Sequence, residues 1–272
     1  TPMIAPAETE PNMSGWEVPE FEAQIYAPRR NIYALVIPVI NEGERIRAQI
    51  ARTSALDFPV DIVIADGGST DGSLDPQFVS DKVRAVLVKT GPGKLSAQLR
   101  LAYSWALQEG YQGIVTVDGN GKDGVAAIAD MVSKLRDGYD YVQGSRYAPG
   151  GLAENTPLER TVANRCVHAP LLSLAGRHWL SDTTNGFRAY SRRYLLDSRV
   201  APFRDIFMRY ELLFYLTVRA GQLGYRVAEI GVERRYPADI PPPTKISGLS
   251  GKLDVLRQTF GAALGRYHPR DT

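Results

Sequence analysis

Five short β-branched runs, each ending in a polar or glycine-rich turn, constrain this sequence more than any other feature. They are Ala34–Val39, Asp61–Ala65, Val83–Val88, Ile114–Val117 and Tyr139–Val142. Helical patterns lie between or just before them, at Glu44–Ser54, Lys94–Glu109 and Gly124–Arg136. Leu95, Leu99, Ala102 and Ala106 stripe the second helix; Ala127, Ile128, Met131, Val132 and Leu135 stripe the third. Strands alternating with amphipathic helices predict an α/β fold with a mostly parallel, Rossmann-like sheet flanked by helices.

Beyond Pro149 the rhythm changes. Leu158–Ala175 reads as an apolar helix, Thr183–Tyr190 as extended and Tyr210–Gly221 as a helix closed by glycine. Arg226–Tyr236 alternates like a strand, Pro237–Thr244 is a proline loop, and Leu249–Leu264 is a final amphipathic helix. Residues 1–30 are rich in Pro and Glu with little periodicity, so they read as an extension, draped on the surface or mobile. The expectation is one domain over 31–272, with halves at 31–147 and 148–272.

Hydrophobic residues at 44% and charged residues at 23% exclude a largely disordered chain. No apolar stretch approaches the roughly 18–20 residues of a spanning helix. The single cysteine, Cys166, cannot close an internal disulfide and is expected to be a buried thiol in a reducing compartment. Residues 1–28 carry five glutamates and no Lys or Arg, unlike a signal or transit peptide, so a cytoplasmic location is expected. The net charge of +2 predicts no nucleic-acid partner. It is uneven, however: residues 188–272 hold 15 Lys and Arg against 8 Asp and Glu, which suits a phosphate or a membrane surface.

Ligands of such sheets bind beyond the carboxyl ends of the strands. Those ends carry Asn41-Glu42, Asp66-Gly67-Gly68-Ser69, Gly91-Pro92-Gly93-Lys94 and Asp118-Gly119-Asn120. Gly119–Gly124 matches G-x-G-x-x-G, but it follows the fourth strand, and its acids Asp118 and Asp123 would repel a bare pyrophosphate. Asp118 and Asn120 suit better a Mg²⁺ or Mn²⁺ ion bridging two phosphates. Asp66 could accept from a base or ribose hydroxyl, and Gly67 lets the backbone approach a ligand. Each motif alone is ordinary turn chemistry. Together, in order and at successive strand ends, they are specific.

These blocks resemble those of family 2 glycosyltransferases. The matching segments are Val36–Glu42, Ile64–Gly72, Val117–Asn120, Gly144–Tyr147 and Asp182–Arg188, continued by Tyr210-Glu211, Gly224–Ile230 and Thr244–Ile246. Within the family the likeness is to the dolichyl-phosphate mannose synthase-like branch, over about 33–250. It implies a GT-A fold that takes a nucleotide-diphosphate sugar, GDP- or UDP-linked, and inverts the anomeric centre. The first half then holds the donor and the second the acceptor. The likeness places Pro38, Asn41, Glu42 and Asp66 at the nucleoside and Asp118 as first acid of the D-x-D metal motif. Arg146 and Arg188 sit in blocks facing donor or acceptor phosphate. Arg234, Arg235 and Lys245 match a basic segment near a lipid phosphate. Gly67 and Lys94 complete the donor side.

Two departures stand out. Asn120 replaces the second acid, and Lys122 stands where the branch often has an amide ligand. Lys122 would repel a metal or supply part of its charge. Asp123 would be a compensating ligand or, better, the N-cap of the next helix. Glu211 is the expected base for a hydroxyl acceptor, or else a helix-dipole or salt-bridge partner of Arg209 or Arg188. Asp182 is the reserve, and His168 and His178 are expected to be structural.

The acceptor stays open between polyprenyl phosphate, slightly favoured, and a hydroxyl of a glycan or small metabolite. A non-catalytic nucleotide-sugar binder is the reading from another class. The acidic loop Asn41–Glu44 argues against a nucleotidyltransferase, which usually has a basic one. Leu253, Leu256, Phe260 and Leu264 stripe the last helix beside Lys252, Arg257 and Arg266, for peripheral membrane contact, the domain itself or a homodimer partner.

Overall fold

The computed structural model describes residues 12–236 and 248–270. An eight-stranded sheet runs in the order β1-β4-β3-β2-β5-β8-β6-β9. Its strands are β1 (Phe21–Ile25), β2 (Tyr33–Val39), β3 (Asp61–Asp66), β4 (Ala85–Lys89), β5 (Gly113–Thr116), β6 (Tyr141–Ser145), β8 (Arg188–Ser191) and β9 (Val227–Gly231). A second, two-stranded sheet joins β7 (Leu152–Glu154) and β10 (Glu233–Arg235) in parallel.

The helices are α1 (Glu44–Ala55), α2 (Pro76–Val79), α3 (Leu95–Gln108), α4 (Ile128–Arg136), α5 (Leu158–Ala163), α6 (Ala169–Gly176), α7 (Arg192–Leu196), α8 (Glu211–Gln222) and α9 (Gly248–Ala263). A π turn at Asn164–His168 joins α5 to α6, so the expected continuous helix is locally underwound there. The proline loop expected at Pro237–Thr244 lies outside the described residues.

The sheet is covered on both faces, and β2 shows why. All of its residues are buried. Ala34 and Val36 enter the core cluster with Leu99 and Tyr103 of α3 and Leu212 and Leu216 of α8. Leu35, Ile37 and Val39 enter the other, with Ile46 and Ile50 of α1 and Met131 of α4. Successive side chains point to opposite faces, so a strand between two helical layers is apolar throughout.

Residues 21–25 of the N-terminal extension are ordered on the sheet's edge: β1 pairs antiparallel with β4, from Phe21 against Lys89 to Ile25 against Ala85, whereas the expectations for Thr183–Tyr190 and for a buried Cys166 are corrected. Just before it, Trp16 packs on Phe203 with ring centroids 4.2 Å apart. The extended segment Thr183–Tyr190 forms a strand only from Arg188, and β8 lies antiparallel between β5 and β6. Cys166 is exposed, because the π turn carries it outward with Arg165 and Val167.

Candidate active site

The parallel strands β2, β3 and β5 present their carboxyl ends at one edge, and the expected loops meet there. Asp66 closes β3 and accepts from the Ser69 amide at 2.9 Å and hydroxyl at 2.7 Å. Asn41 accepts from the Thr70 amide at 2.8 Å, and its own amide donates to Ser69 Oγ at 3.0 Å. The Gly67 amide donates to the Val39 carbonyl at 2.8 Å. These bonds lace the two loops together before any ligand arrives. Pro38 is an interior residue of β2, Glu42 is buried and pairs with Arg45 at 3.0 Å, and Lys94 is exposed at the start of α3.

Asp118 follows β5. Gln49 of α1 fixes its loop, donating to the Asp118 carbonyl and accepting from the Gly121 amide, both at 2.9 Å. Gly186 flanks the other side. A Cβ there would overlap Asp118 Oδ1 and lie 2.9 Å from the carboxyl carbon, so only glycine leaves this carboxylate its place. Asn120 is partly exposed, and its Oδ1 accepts from the Lys122 amide at 3.2 Å.

β10 lays its backbone along this loop: the Arg235 amide donates to the Lys122 carbonyl, and the Gly124 amide to the Glu233 carbonyl, both at 2.9 Å. The pairing inserts Arg234. Its Nη1 donates to both carboxylate oxygens of Asp123 at 2.7 Å, and its Nη2 reaches Asp118 Oδ2 at 3.1 Å. Burial works against the Arg234 charge, but Asp123 and Asp118 more than offset it and hold its pKa well above that of a free guanidinium. Asp123 is therefore not the N-cap it was expected to be; Gly124 holds that place, without a side-chain cap.

Lys122 is buried, with its ammonium 4.6 Å from the centre of the Tyr236 ring. Among the described residues that ammonium makes no hydrogen bond. Burial, then Arg234 and Arg160, push its pKa down, against the pull of Tyr236 and Asp118. Arg160 of α5 donates to the Tyr236 hydroxyl at 3.2 Å. Lys122, Arg160 and Arg234 thus surround Tyr236 beside Asp118. Sequence reasoning missed Arg160, Tyr236, Gln49 and Gly186; the aromatic closing a basic strand was the one available signal.

Other expected phosphate ligands are engaged elsewhere. Arg188 is fully buried and donates to the carbonyls of Asn185, Leu213 and Thr183 and to Thr217 Oγ1, at 2.6–3.0 Å. That corrects its phosphate role: it ties β8 to α8. Arg146 donates to Asp182 at 2.7 and 3.0 Å, deep in the protein. Although burial opposes its charge, Arg146 holds Asp182 below the usual carboxylate pKa, and with both oxygens bonded to that guanidinium in a buried pair Asp182 is engaged as a structural partner rather than placed as a reserve base. Arg235 is exposed and pairs with Glu154 and Glu233. Lys245 lies outside the described residues. His168 is structural as expected, bonded to Thr259 Oγ1 at 3.0 Å, and His178 is exposed.

Glu211 opens α8. Its Oε2 accepts from the Met208 and Arg209 amides at 3.1 and 2.6 Å, so it binds loop backbone rather than an arginine side chain. A shallow depression of about 380 Å³ lies at the opposite edge of the sheet, beside Asp61 and Arg84. Tyr111 bridges these two residues at 2.7 Å on each side, which is strand-end packing remote from Asp118.

A family model described as Glycosyl transferase family 2 matches residues 34–198. The chain belongs to that family. Among curated relatives, the polyprenol monophosphomannose synthase of Mycolicibacterium smegmatis is 28% identical over 241 residues, covering 82% of this chain and 89% of that one. The undecaprenyl-phosphate mannosyltransferase of Micrococcus luteus is 27% identical over 201 residues, covering 72% and 81%. Among solved structures, glucosyl-3-phosphoglycerate synthase of Mycobacterium tuberculosis, in complex with Mn²⁺, UDP and phosphoglyceric acid, has a TM-score of 0.62 at 19% identity, covering 88% of this chain and 80% of that one. That likeness supports the GT-A-like α/β fold. This glycosyltransferase has no helix, among its described residues, long and apolar enough to cross a membrane.

The donor set around Asp118 can be tested for a divalent metal. Among the described residues, no cluster of three or more His, Cys, Asp or Glu could hold one. Asp118 offers Oδ1, since Arg234 holds Oδ2, and Asn120 offers an amide oxygen. Mg²⁺ is commonly held by one or two carboxylates with phosphate oxygens completing its shell. The residues therefore fit a metal that arrives with a diphosphate.

Proposed function

We propose that this glycosyltransferase moves a hexose from a nucleotide-diphosphate sugar to a polyprenyl phosphate, with inversion. The observation that carries the reading is the cationic cluster of Lys122, Arg160 and Arg234 around Tyr236, beside Asp118. Two relatives named for lipid-phosphate acceptors support it across most of the chain.

An acceptor phosphate oxygen attacks the anomeric carbon, and the bond from that carbon to the diphosphate breaks. The nucleoside diphosphate leaves with the electron pair. Lys122 and Arg234 stabilise the charge that develops on it. A phosphate acceptor is already anionic and needs no general base. Asp118 and Asn120 would hold Mg²⁺ or Mn²⁺, which when bound supplies further neutralisation of the leaving group. On the donor side, Asn41, Glu42, Asp66 and Gly67 border the nucleoside, with Pro38 behind them and Lys94 at the rim.

A hydroxyl acceptor is the second reading. Among the described residues both amide bonds to Glu211 go to Oε2, which leaves Oε1 to take a proton. The deciding experiment incubates the chain with Mg²⁺ or Mn²⁺, labelled GDP- and UDP-sugars, and polyprenyl phosphate or an aqueous extract. Label in the organic phase is the expected result. Label confined to the aqueous phase moves the assignment to a hydroxyl acceptor, and no transfer at all leaves a nucleotide-sugar binder.

A further inference from the structure

Helix α9 carries apolar side chains on two faces: Val255 and Ala262 pack inward with Leu172 of α6 and Phe214 of α8. Its polar Gln258 and Thr259 are buried, Gln258 accepting from the Tyr210 amide at 3.0 Å and Thr259 bonded to His168. Its Leu253, Phe260 and Leu264 face outward, Leu264 67% exposed. The neighbouring α5–α6 segment repeats the arrangement, with Leu172 buried. Asn164, His168 and Ser173 are buried, while Leu158 is 77% and Leu174 76% exposed. An amphipathic helix on a water-facing surface directs its apolar stripe inward. Here a second set of apolar side chains points away from the core, and α6 packs against α9, so they share one region of surface.

The charge on these segments selects the occupant. Residues 158–179 and 248–270 hold seven Lys and Arg against two Asp and Glu. Both acids are already paired, Glu159 with Lys252 and Asp254 with Arg209. Arg165, Arg177, Arg257 and Arg266 are exposed, with no ion pair among the described residues. A second copy of this chain docked through a two-fold axis would set this basic face against itself. An anionic bilayer complements it: apolar side chains enter the acyl boundary while arginines meet headgroup phosphates.

We propose that the α5–α6–α9 face seats this chain on an anionic lipid surface. The placement has a consequence for the site that rests on the lipid-acceptor reading above. α5 carries Leu158 and Val162 outward and, between them, Arg160 inward onto Tyr236. One helical turn thus joins the lipid face to the cationic cluster. A phosphate headgroup reaches the cleft while its hydrocarbon chain stays in the membrane.

The test uses the full chain and vesicles of phosphatidylcholine, with or without phosphatidylglycerol, lacking any polyprenyl phosphate or sugar donor. The expected result is co-sedimentation with phosphatidylglycerol vesicles, weakened by salt and at least about tenfold poorer for the triple variant Leu174→Ser, Phe260→Ser, Leu264→Ser. These side chains are exposed, so the melting temperature should not move. Wild-type protein left in the supernatant with both vesicles overturns the proposal, as does a triple variant that binds equally well. A wild-type dimer that the triple variant converts to a monomer assigns the face to a second copy and also overturns it. Sedimentation without sugar transfer to lipid removes the acceptor reading and leaves the docking face standing.

Discussion

Arg234 donates from one nitrogen to both carboxylate oxygens of Asp123, at 2.7 Å each, and from the other to Asp118 at 3.1 Å. Asp123 is therefore a positioning residue: it holds the guanidinium that orients Asp118. Asp123→Asn leaves the buried guanidinium with Asp118 as its one remaining carboxylate partner, so the variant should lose roughly 3 kcal/mol of stability and most of its activity. Replacing both members together, Asp123→Leu with Arg234→Met, should recover much of the stability and none of the turnover. Denaturant melts and transfer assays of the two variants check this. An active Asp123→Asn enzyme would exclude the positioning role.

Gly186 offers a cleaner separation of fold from function. In Gly186→Ala the new methyl meets the far end of the short Asp118 side chain, which can rotate away from Arg234. The melting temperature should change by no more than the equivalent of about 1 kcal/mol, while turnover falls at least as far as in Asp118→Ala. A substantially active Gly186→Ala would show that Asp118 need not occupy its observed position.

Much of this architecture was legible because burial on two faces leaves a strong imprint. The fully apolar β2 and the glycine- and acid-rich turns after β2, β3 and β5 are direct consequences of a covered parallel sheet. Strand direction leaves no such imprint, so β8 gave no sign that it runs antiparallel. Phe21-Glu-Ala-Gln-Ile25 does alternate, but as an edge strand with four exposed residues its pattern is faint against the surrounding Pro and Glu. At the site, residue type alone cannot separate an arginine that pairs with the cleft's carboxylates from one holding carbonyls. Arg188 and Arg234 stand in equally basic, family-like blocks; only the register of β10 on the Asp118 loop brings Arg234 to the cleft. Arg160 and Tyr236 come from distant segments and meet only in three dimensions.

Glu211 distinguishes the acceptor chemistries. Glu211→Gln keeps an oxygen for the Met208 and Arg209 amides, so stability should fall by only about 1 kcal/mol, the value of a charge at a helix start. With a phosphate acceptor, turnover should stay within a few-fold of wild type. With a hydroxyl acceptor it should fall about a hundredfold or more, the usual contribution of a general base. Measuring both acceptors with one variant makes the comparison internal.

Acid stability should depend on Asp197. Arg199 donates to it at 2.6 Å, Tyr225 at 2.6 Å, and together they lower its pKa from 3.8 to about 2. The folded state binds this proton less readily than the unfolded chain. Its contribution is therefore complete above pH about 4 and is lost as pH falls toward 2, and with Arg199 largely exposed it amounts to roughly 1–2 kcal/mol. Asp197→Asn should flatten the stability profile of the chain between those values. An unchanged acid limb would locate the dependence in other carboxylates.

Lys122 makes the sharpest claim about the donor. Its side chain is buried beside Tyr236, its ammonium has no hydrogen-bond partner among the described residues, and burial together with Arg234 and Arg160 already disfavours its charge. Lys122→Met should therefore melt no lower than wild type. A diphosphate in the cleft would supply the missing acceptor, and a charged hydrogen bond of that kind is worth about 1.5–3 kcal/mol. Titration calorimetry with UDP and GDP, in chelator and again with Mg²⁺, should show at least about tenfold weaker binding by Lys122→Met in chelator. Added metal should narrow the gap by supplying charge the variant lacks. If wild-type protein binds neither nucleotide without metal, and Lys122→Met matches it with metal, the charge at Lys122 serves the fold rather than the donor.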